Sequence, residues 1–334
     1  MTDRDRLIEG FLASAGWAGA ARAVLAGDAS ARRYERLALG DRRAVLMDAP
    51  PGRGEDTARF ARVGHWLRAQ GYSAPGIFAE DHAQGLLLLE DLGDPLVARL
   101  VAADPGREAE IYAAATDFLA DLHRHPPPDF APPLGGPALA DLVAILPEWY
   151  LPGIGAERTP ASEELPSRIA ALHDRFSDGQ VALSLRDFHS ENLIWLPDRP
   201  GHARLGLLDF QDAVAAHPAY DLVSLLQDAR RDVSLAIEQA MIARYTGSRG
   251  LDHDRFAAIY ALLGAQRALR IVGVFARLAR RDGKPQYLAH LPRVWAALER
   301  NLKHPALAEL ARAVRAGLPA PTPERIARLR ERAG

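Results

Sequence analysis

Arg186-Asp187-Phe188-His189-Ser190-Glu191-Asn192, followed seventeen residues later by Asp209-Phe210, is the stretch from which this chain is best read. Residues 193–196 are short and apolar, 197–201 are a Pro/Asp/Gly turn cluster, and 204–208 form a second apolar run. Strand, turn and strand of this length predict a hairpin that returns Asp209 beside Asn192. Phosphoryl transfer needs a carboxylate to orient and deprotonate an attacking hydroxyl, and oxygen ligands for the Mg²⁺ that neutralises phosphate charge. The spacing therefore makes Asp187 the candidate catalytic base and Asn192 and Asp209 the candidate metal ligands.

Composition narrows the surroundings. At 334 residues the chain can bury a core for two lobes. Its 41 Lys+Arg nearly balance 43 Asp+Glu, so no global basic field argues for nucleic acid or an anionic membrane. It has no cysteine, which excludes disulfides and thiolate metal sites. The N-terminus is polar and leads into an amphipathic stretch rather than a secretory core, and no apolar run approaches a membrane span. A cytoplasmic protein is the expectation, and so is a monomer. The only lysines are Lys284 and Lys303, so any cation that binds phosphate in the first half is Arg or His.

Periodicity gives a helix over 6–17, strands over 23–25, 34–39 and 44–47, and a helix over 56–70 with Phe60, Val63, Trp66 and Leu67 at helical spacing. Strands over 77–78 and 85–89 follow, and 90–95 reads as a connecting hinge. Beyond it the chain reads as mostly helical, with long candidates at 109–124 and 262–280 and a final Arg-rich helix after the Pro-rich segment 318–323.

These residues resemble the aminoglycoside phosphotransferase and choline kinase branch of the kinase superfamily, and within it the bacterial anomeric sugar kinases of cell-wall recycling. The resemblance rests on 27–34, 46–51, 88–94, 148–151, the catalytic loop, 209–213, 220–226 and 266–270. It implies an α+β, two-lobed protein-kinase-like fold, with a small β-rich lobe over 1–92 and a larger helical lobe over 93–334. It further implies ATP and Mg²⁺, and an acceptor such as N-acetylmuramate or N-acetylglucosamine phosphorylated at C1. Rival readings are a kinase of the same branch acting on an aminoglycoside, choline or homoserine, and a nucleotide-binding pseudokinase.

Two features depart from the superfamily pattern. The 27–33 loop has one Gly and one Ser in place of Gly-x-Gly-x-x-Gly, and Met47 stands on the third strand where a phosphate-binding Lys is usual. Ser30 is thus a candidate through its loop amides, and Arg32 or Arg33 a candidate through bidentate guanidinium contact with phosphate. Glu90 and Leu92 are hinge positions where backbone groups would read adenine. Trp149 and Tyr150 could stack on a sugar or pack in the core. His189 could touch the acceptor or brace its loop. Gln211 and Asp212, next to Asp209-Phe210, are candidate partners of sugar hydroxyls.

Arg267, Arg270 and Arg277 share a helix face. The segment 251–334 holds 16 Lys+Arg against 7 Asp+Glu, which disfavours a polycationic acceptor and suits an acidic or neutral sugar. For Asp221 the resemblance implies that it receives N–H bonds from the catalytic loop; the sequence alone equally allows a helix N-cap.

Overall fold

The computed structural model describes residues 2–25, 32–52, 54 and 56–331. They pack as two compact units, 1–107 with 190–212 and 108–189 with 213–334. The units are therefore not the two stretches either side of residue 92. The hairpin explains why: Trp195 N–H donates to Pro95 C=O at 2.9 Å and Leu207 N–H to Ser73 C=O at 3.0 Å. Bridges Ser73–Gly206 and Leu96–Ile194 add to this anchoring, so the hairpin packs with the first unit.

The first unit is built on a five-stranded antiparallel sheet in the order β1-β2-β3-β5-β4: β1 Ala21–Leu25, β2 Arg33–Leu39, β3 Arg42–Asp48, β4 Ile77–Asp81 and β5 Leu86–Leu89. Alternation sends Leu37, Ala44, Leu46, Leu86 and Leu88 to one face, where they form a core with Ile8, Phe11 and Leu12 of the helix Asp3–Ser14 and with Trp17. Gly85 enters β5 at φ 67°, and a Cβ there would lie 1.9 Å from the Ala49 carbonyl oxygen, so the position requires glycine. The helix Thr57–Ala69 starts at Asp56, whose carboxylate accepts the Arg59 N–H at 3.0 Å. Each expected strand and both expected helices of this region are present, with ends shifted by up to three residues.

The second unit is mostly helical. Its helix Glu108–Leu122 buries Ile111, Tyr112, Ala115, Phe118, Leu119 and Leu122 at helical spacing. The helix His253–Arg280 begins nine residues before the expected 262, because Asp252 caps it through the Arg255 N–H at 2.8 Å. It is apolar and long enough to cross a membrane, yet 78% of its most apolar window is buried within the protein, which makes it a core helix. Helices Leu165–Phe176, Leu235–Arg249, Leu291–Asn301 and Ala308–Gly317 also belong to the unit, as does Pro323–Arg330, the expected Arg-rich helix after the Pro-rich segment. A small sheet orders Pro133–Leu134, Val214–Ala216 and Ala182–Ser184 side by side, and the last of these strands feeds directly into the catalytic segment.

His217 closes this sheet onto the helix Ala219–Leu226. It is 3% exposed, and its Nδ1 accepts the Ala219 N–H at 3.1 Å. Burial, with His173 and His123 nearby, pushes the imidazole down to about 3 from an ordinary value of 6.5. The unfolded chain therefore binds this proton near pH 6.5 while the folded chain refuses it until about pH 3, so the contribution is full above pH 6.5 and is lost as pH falls. Asn at this position keeps a side-chain acceptor and removes the titration. In denaturant titrations between pH 6.5 and 4, wild type should lose up to about 1.4 kcal/mol per pH unit more than His217→Asn. Parallel pH slopes would refute the assignment.

Candidate active site

The catalytic segment divides at the unit boundary, Asp187 in the second unit and Asn192 and Asp209 in the first. In the second unit the loop hangs from Asp221. This carboxylate is fully buried and accepts Ser184 Oγ–H at 2.7 Å, Leu185 N–H at 2.7 Å and Arg186 N–H at 2.9 Å. The helix Ala219–Leu226 has Pro218 at its N-cap position and no side-chain cap, so Asp221 is a loop anchor and not the N-cap that its position also allowed. Arg186 turns the chain at φ 66°, and its carbonyl accepts the Ser224 hydroxyl at 2.7 Å. Phe188 is buried and stacks on Phe118 with centroids 5.4 Å apart. Held on both sides, Asp187 keeps about a third of its side-chain exposure, 35%.

Arginines surround that carboxylate. Arg267 Nη2 lies 3.7 Å from Asp187 Oδ1. Crowding by protein pushes the Asp187 carboxyl up, but Arg267, Arg270, His189 and Arg186 outweigh it and hold the group below its ordinary range. Arg270 also reaches the Tyr220 hydroxyl at 3.4 Å. His189 is buried, its N–H donates to the Asp187 carbonyl at 3.1 Å, and Arg230 Nη1 lies 3.4 Å from its Nε2. Burial pushes its imidazole down, so it is neutral near pH 7, and the Arg230 donor assigns the lone pair to Nε2. These contacts tie His189 to its own loop and to Arg230.

In the first unit, Leu193–Trp195 pairs antiparallel with Leu205–Leu207, and Leu208 N–H donates to the Asn192 carbonyl at 2.9 Å. That register sets Asn192 opposite Leu208, one residue before Asp209, as the spacing predicts. Asp209 adopts φ 55° and keeps 41% of its side-chain exposure. Phe210 fixes this turn: it packs on Phe60 at 4.8 Å, and Gly64 leaves room, since a Cβ there would sit 3.5 Å from the ring. Asp209 Oδ1 accepts Arg32 Nη2 at 3.1 Å and Gln211 Nε2 at 2.9 Å. The oxygen chemistry fits Mg²⁺, which takes one or two carboxylates and completes its shell with water and phosphate. Asp209 and Asn192 would hold it. Among the described residues no cluster of three or more His, Cys, Asp or Glu offers a dedicated protein cage.

The remaining candidates separate. Arg33 is exposed at the start of β2. Ser30 lies outside the described residues. Met47 is buried between Tyr34 and Leu87 in the sheet register, so the third strand supplies no inward cation there. The Glu90 carboxylate accepts Gly76 N–H at 3.0 Å and Arg199 Nη2 at 2.5 Å, a bracing role, and Leu92 is buried beside it. Asp212 lies 3.6 Å from Arg59 Nη1.

Tyr150 is a correction. It is fully buried, stacks on Trp295 at 6.4 Å and donates its hydroxyl to the Pro319 carbonyl at 2.7 Å, so it is core and offers no face to a sugar. Trp149 beside it is half-buried. Sequence reading missed Gln227, Asp228 and Arg231, which line a cavity with Arg267 in the second unit. The available signal was the polar run 227–232 directly after the apolar helix Ala219–Leu226.

Residues 22–259 match the family described as Phosphotransferase enzyme family. The chain is 40% identical to the N-acetylmuramate/N-acetylglucosamine kinase of Caulobacter vibrioides, over 92% of this chain and 95% of that protein. It is 34% identical to the protein of the same name from Pseudomonas aeruginosa, over 85% and 84% of the two chains. Among solved structures, a choline/ethanolamine kinase family protein from Mesorhizobium loti superposes with a TM-score of 0.64 at 16% identity, covering 98% of both chains. An aminoglycoside-3'-phosphotransferase of type VIII gives 0.55 at 18% identity, over 78% of this chain and 97% of that one. The fold is the protein-kinase-like fold of these enzymes, a β-sheet N-terminal region followed by a mostly helical remainder.

Asp221→Ala should be strongly destabilising, because it strands two buried amides and a hydroxyl that now share a charged acceptor. A loss of at least about 3 kcal/mol is expected in chemical denaturation. Amide exchange at Leu185 and Arg186 should accelerate under conditions where the helix Glu108–Leu122 stays protected. Unchanged stability and exchange would remove Asp221 as the loop anchor.

Proposed function

We propose, for a chain that belongs to the phosphotransferase enzyme family, that it transfers the γ-phosphoryl group of ATP to the anomeric C1 hydroxyl of N-acetylmuramate or N-acetylglucosamine. The names of the Caulobacter and Pseudomonas relatives support this acceptor class. The observation that carries the chemistry is Asp187, an anchored, partly exposed carboxylate that its arginine neighbours keep ionised. Asp187 orients the acceptor hydroxyl and takes its proton as the new O–P bond forms and the β–γ bridging P–O bond breaks, releasing ADP. Mg²⁺, when bound, neutralises phosphate charge. Asn192 and Asp209 are its proposed ligands, and Arg32, already at Asp209, is the proposed phosphate cation in place of a third-strand lysine. Glu90 and Leu92 mark the backbone that would read adenine, with 1–92 as the nucleotide-covering part of the chain and 93–334 as the part that binds the acceptor.

The enzyme would work in the cytoplasm as a monomer, and its sugar 1-phosphate would suit a nucleotidyltransferase that makes a nucleotide sugar. The buried Met47 favours one second reading, a nucleotide-binding pseudokinase. ATP turnover with N-acetylmuramate, N-acetylglucosamine, kanamycin, choline and homoserine, with ³¹P NMR of any product, separates the readings. An anomeric phosphate on an amino sugar supports the proposal, and no turnover with any acceptor refutes it.

Asp187→Asn should lower turnover by about 10²–10⁴, the usual worth of a general base, while MgATP affinity by calorimetry stays near wild type. Wild-type turnover in this variant would refute the catalytic role.

Asp209→Ala should abolish Mg²⁺-dependent ATP binding, and Asn192→Ala should weaken it less, because a neutral amide oxygen is a poorer ligand than a carboxylate. Unchanged MgATP affinity and turnover in both would remove the metal site.

A further inference from the structure

We propose that Arg267, which lines a cavity and also faces Asp187, reads a carboxylate on the acceptor, so that the site favours an acidic sugar. The proposal rests on the reading of Asp187 as the acceptor-side base. Arg267 sits in the middle of the core helix His253–Arg280 and is 6% exposed. A guanidinium so deeply buried is costly unless its donors are used. Its Nε carries no hydrogen bond, and its polar partner among the described residues is the Asp187 carboxylate at 3.7 Å, beyond hydrogen-bond length.

The cavity that Arg267 lines explains what those donors are for. Three other arginines share its wall, and each is already committed to an acid: Arg231 to Glu108 at 2.7 Å, Arg293 to Asp232 at 2.5 Å and Arg300 to Glu238 at 3.2 Å. Among the described residues, Arg267 is the cavity arginine whose fork remains open. A planar guanidinium fork matches a carboxylate in bidentate fashion. Val223, Leu226, Val294 and Ala297 give the cavity an apolar side that suits a short alkyl group carrying that carboxylate. Asp228 lines it too, with Oδ1 accepting the Arg230 N–H at 2.8 Å, and is placed to accept from a sugar hydroxyl.

The contact with Asp187 sets the range of this recognition. A hydroxyl held by Asp187 and a substituent on the same sugar ring lie within reach of one arginine. N-acetylmuramate carries a lactyl ether at C3 that ends in a carboxylate, and N-acetylglucosamine carries a hydroxyl there. Arg267 is thus a specificity-determining residue for the acidic sugar, and through Asp187 it also supports turnover of the neutral one.

The test is steady-state kinetics of wild type, Arg267→Gln and Arg267→Lys with N-acetylmuramate, its uncharged methyl ester and N-acetylglucosamine at saturating MgATP. Both variants should slow both sugars through Asp187. Arg267→Gln should cost N-acetylmuramate about ten- to a hundred-fold more in kcat/KM than it costs N-acetylglucosamine, chiefly in KM, as expected for a lost charge-assisted bond. Arg267→Lys should recover part of that difference, and wild type should prefer the acid to the ester. Equal losses for the two sugars would overturn the proposal and leave Arg267 as a counter-ion of Asp187. If Arg267→Gln fails to melt cooperatively, Arg267→Lys and the acid-to-ester ratio decide, and a wild type that does not distinguish acid from ester overturns it. A wild type that phosphorylates neither sugar removes the functional reading itself, a result distinct from equal losses.

Discussion

A single buried carboxylate holds the loop that carries Asp187. Asp221 is out of water, and an unpaired charge there would be severely unfavourable. It is tolerated because Ser184, Leu185 and Arg186 all donate to it. The dependence runs both ways. Without Asp221 the end of the strand Ala182–Ser184 would present two amides to an apolar interior, and without those amides the helix Ala219–Leu226 could not bury an acid in its first turn. Arg186 is then bent to φ 66°, a conformation disfavoured for a branched-chain or long side chain and stable here because its N–H and C=O are both taken, by Asp221 and by Ser224. The position of Asp187 follows from that bend.

The same logic shows why some of the site was legible in the sequence and some was not. The hairpin was readable because it is local: two apolar runs, a Pro/Gly turn and a polar residue at each end determine Asn192 and Asp209 within a few residues. The sheet of the first unit was readable for the same reason. Asp221 had two readings in the sequence because the decisive fact, which donors come to meet it, lies thirty-five residues away at Arg186. Tyr150 likewise had two readings because nothing local marks an aromatic as buried; Trp295 and the Pro319 carbonyl do so from the far end of the chain. The helix Ala308–Gly317 escaped because it is short, alanine-rich and has no side-chain cap, and Leu235–Arg249 escaped although Ser234 and Gly250 cap it, because its apolar residues mark no single strong face.

Charge was legible as a total and illegible as a pattern. The basic excess in 251–334 is real, but part of it is neutralised by acids from outside the segment: Arg293 pairs with Asp232 and Arg255 with Asp178. Such exposed pairs contribute little to stability and nothing to recognition. Counting cations therefore says less about the acceptor than asking which cation is buried with its donors open. In the first unit the near absence of lysine has a comparable consequence. Arg32 meets the Asp209 carboxylate from β2's side of the sheet while Met47 fills the third strand with apolar volume, so a cation reaches the proposed metal site from a neighbouring strand end.

The arginines around Asp187 also bear on the kind of hydroxyl it can serve. A carboxylate held below its ordinary pKa is a weak base, and general-base efficiency falls as the gap to the substrate hydroxyl widens. Two features of the proposed reaction reduce that demand. Phosphoryl transfer passes through a loose transition state in which the attacking oxygen gains little bonding early, so the proton leaves late and orientation matters more than basicity. An anomeric hydroxyl, attached to a carbon that also bears the ring oxygen, is more acidic than an ordinary alcohol, so it yields its proton to a weaker base. An ionised, well-anchored and weakly basic Asp187 is consequently suited to a hemiacetal acceptor, and the arginines that make it weakly basic are the same groups that would draw an acidic sugar to it.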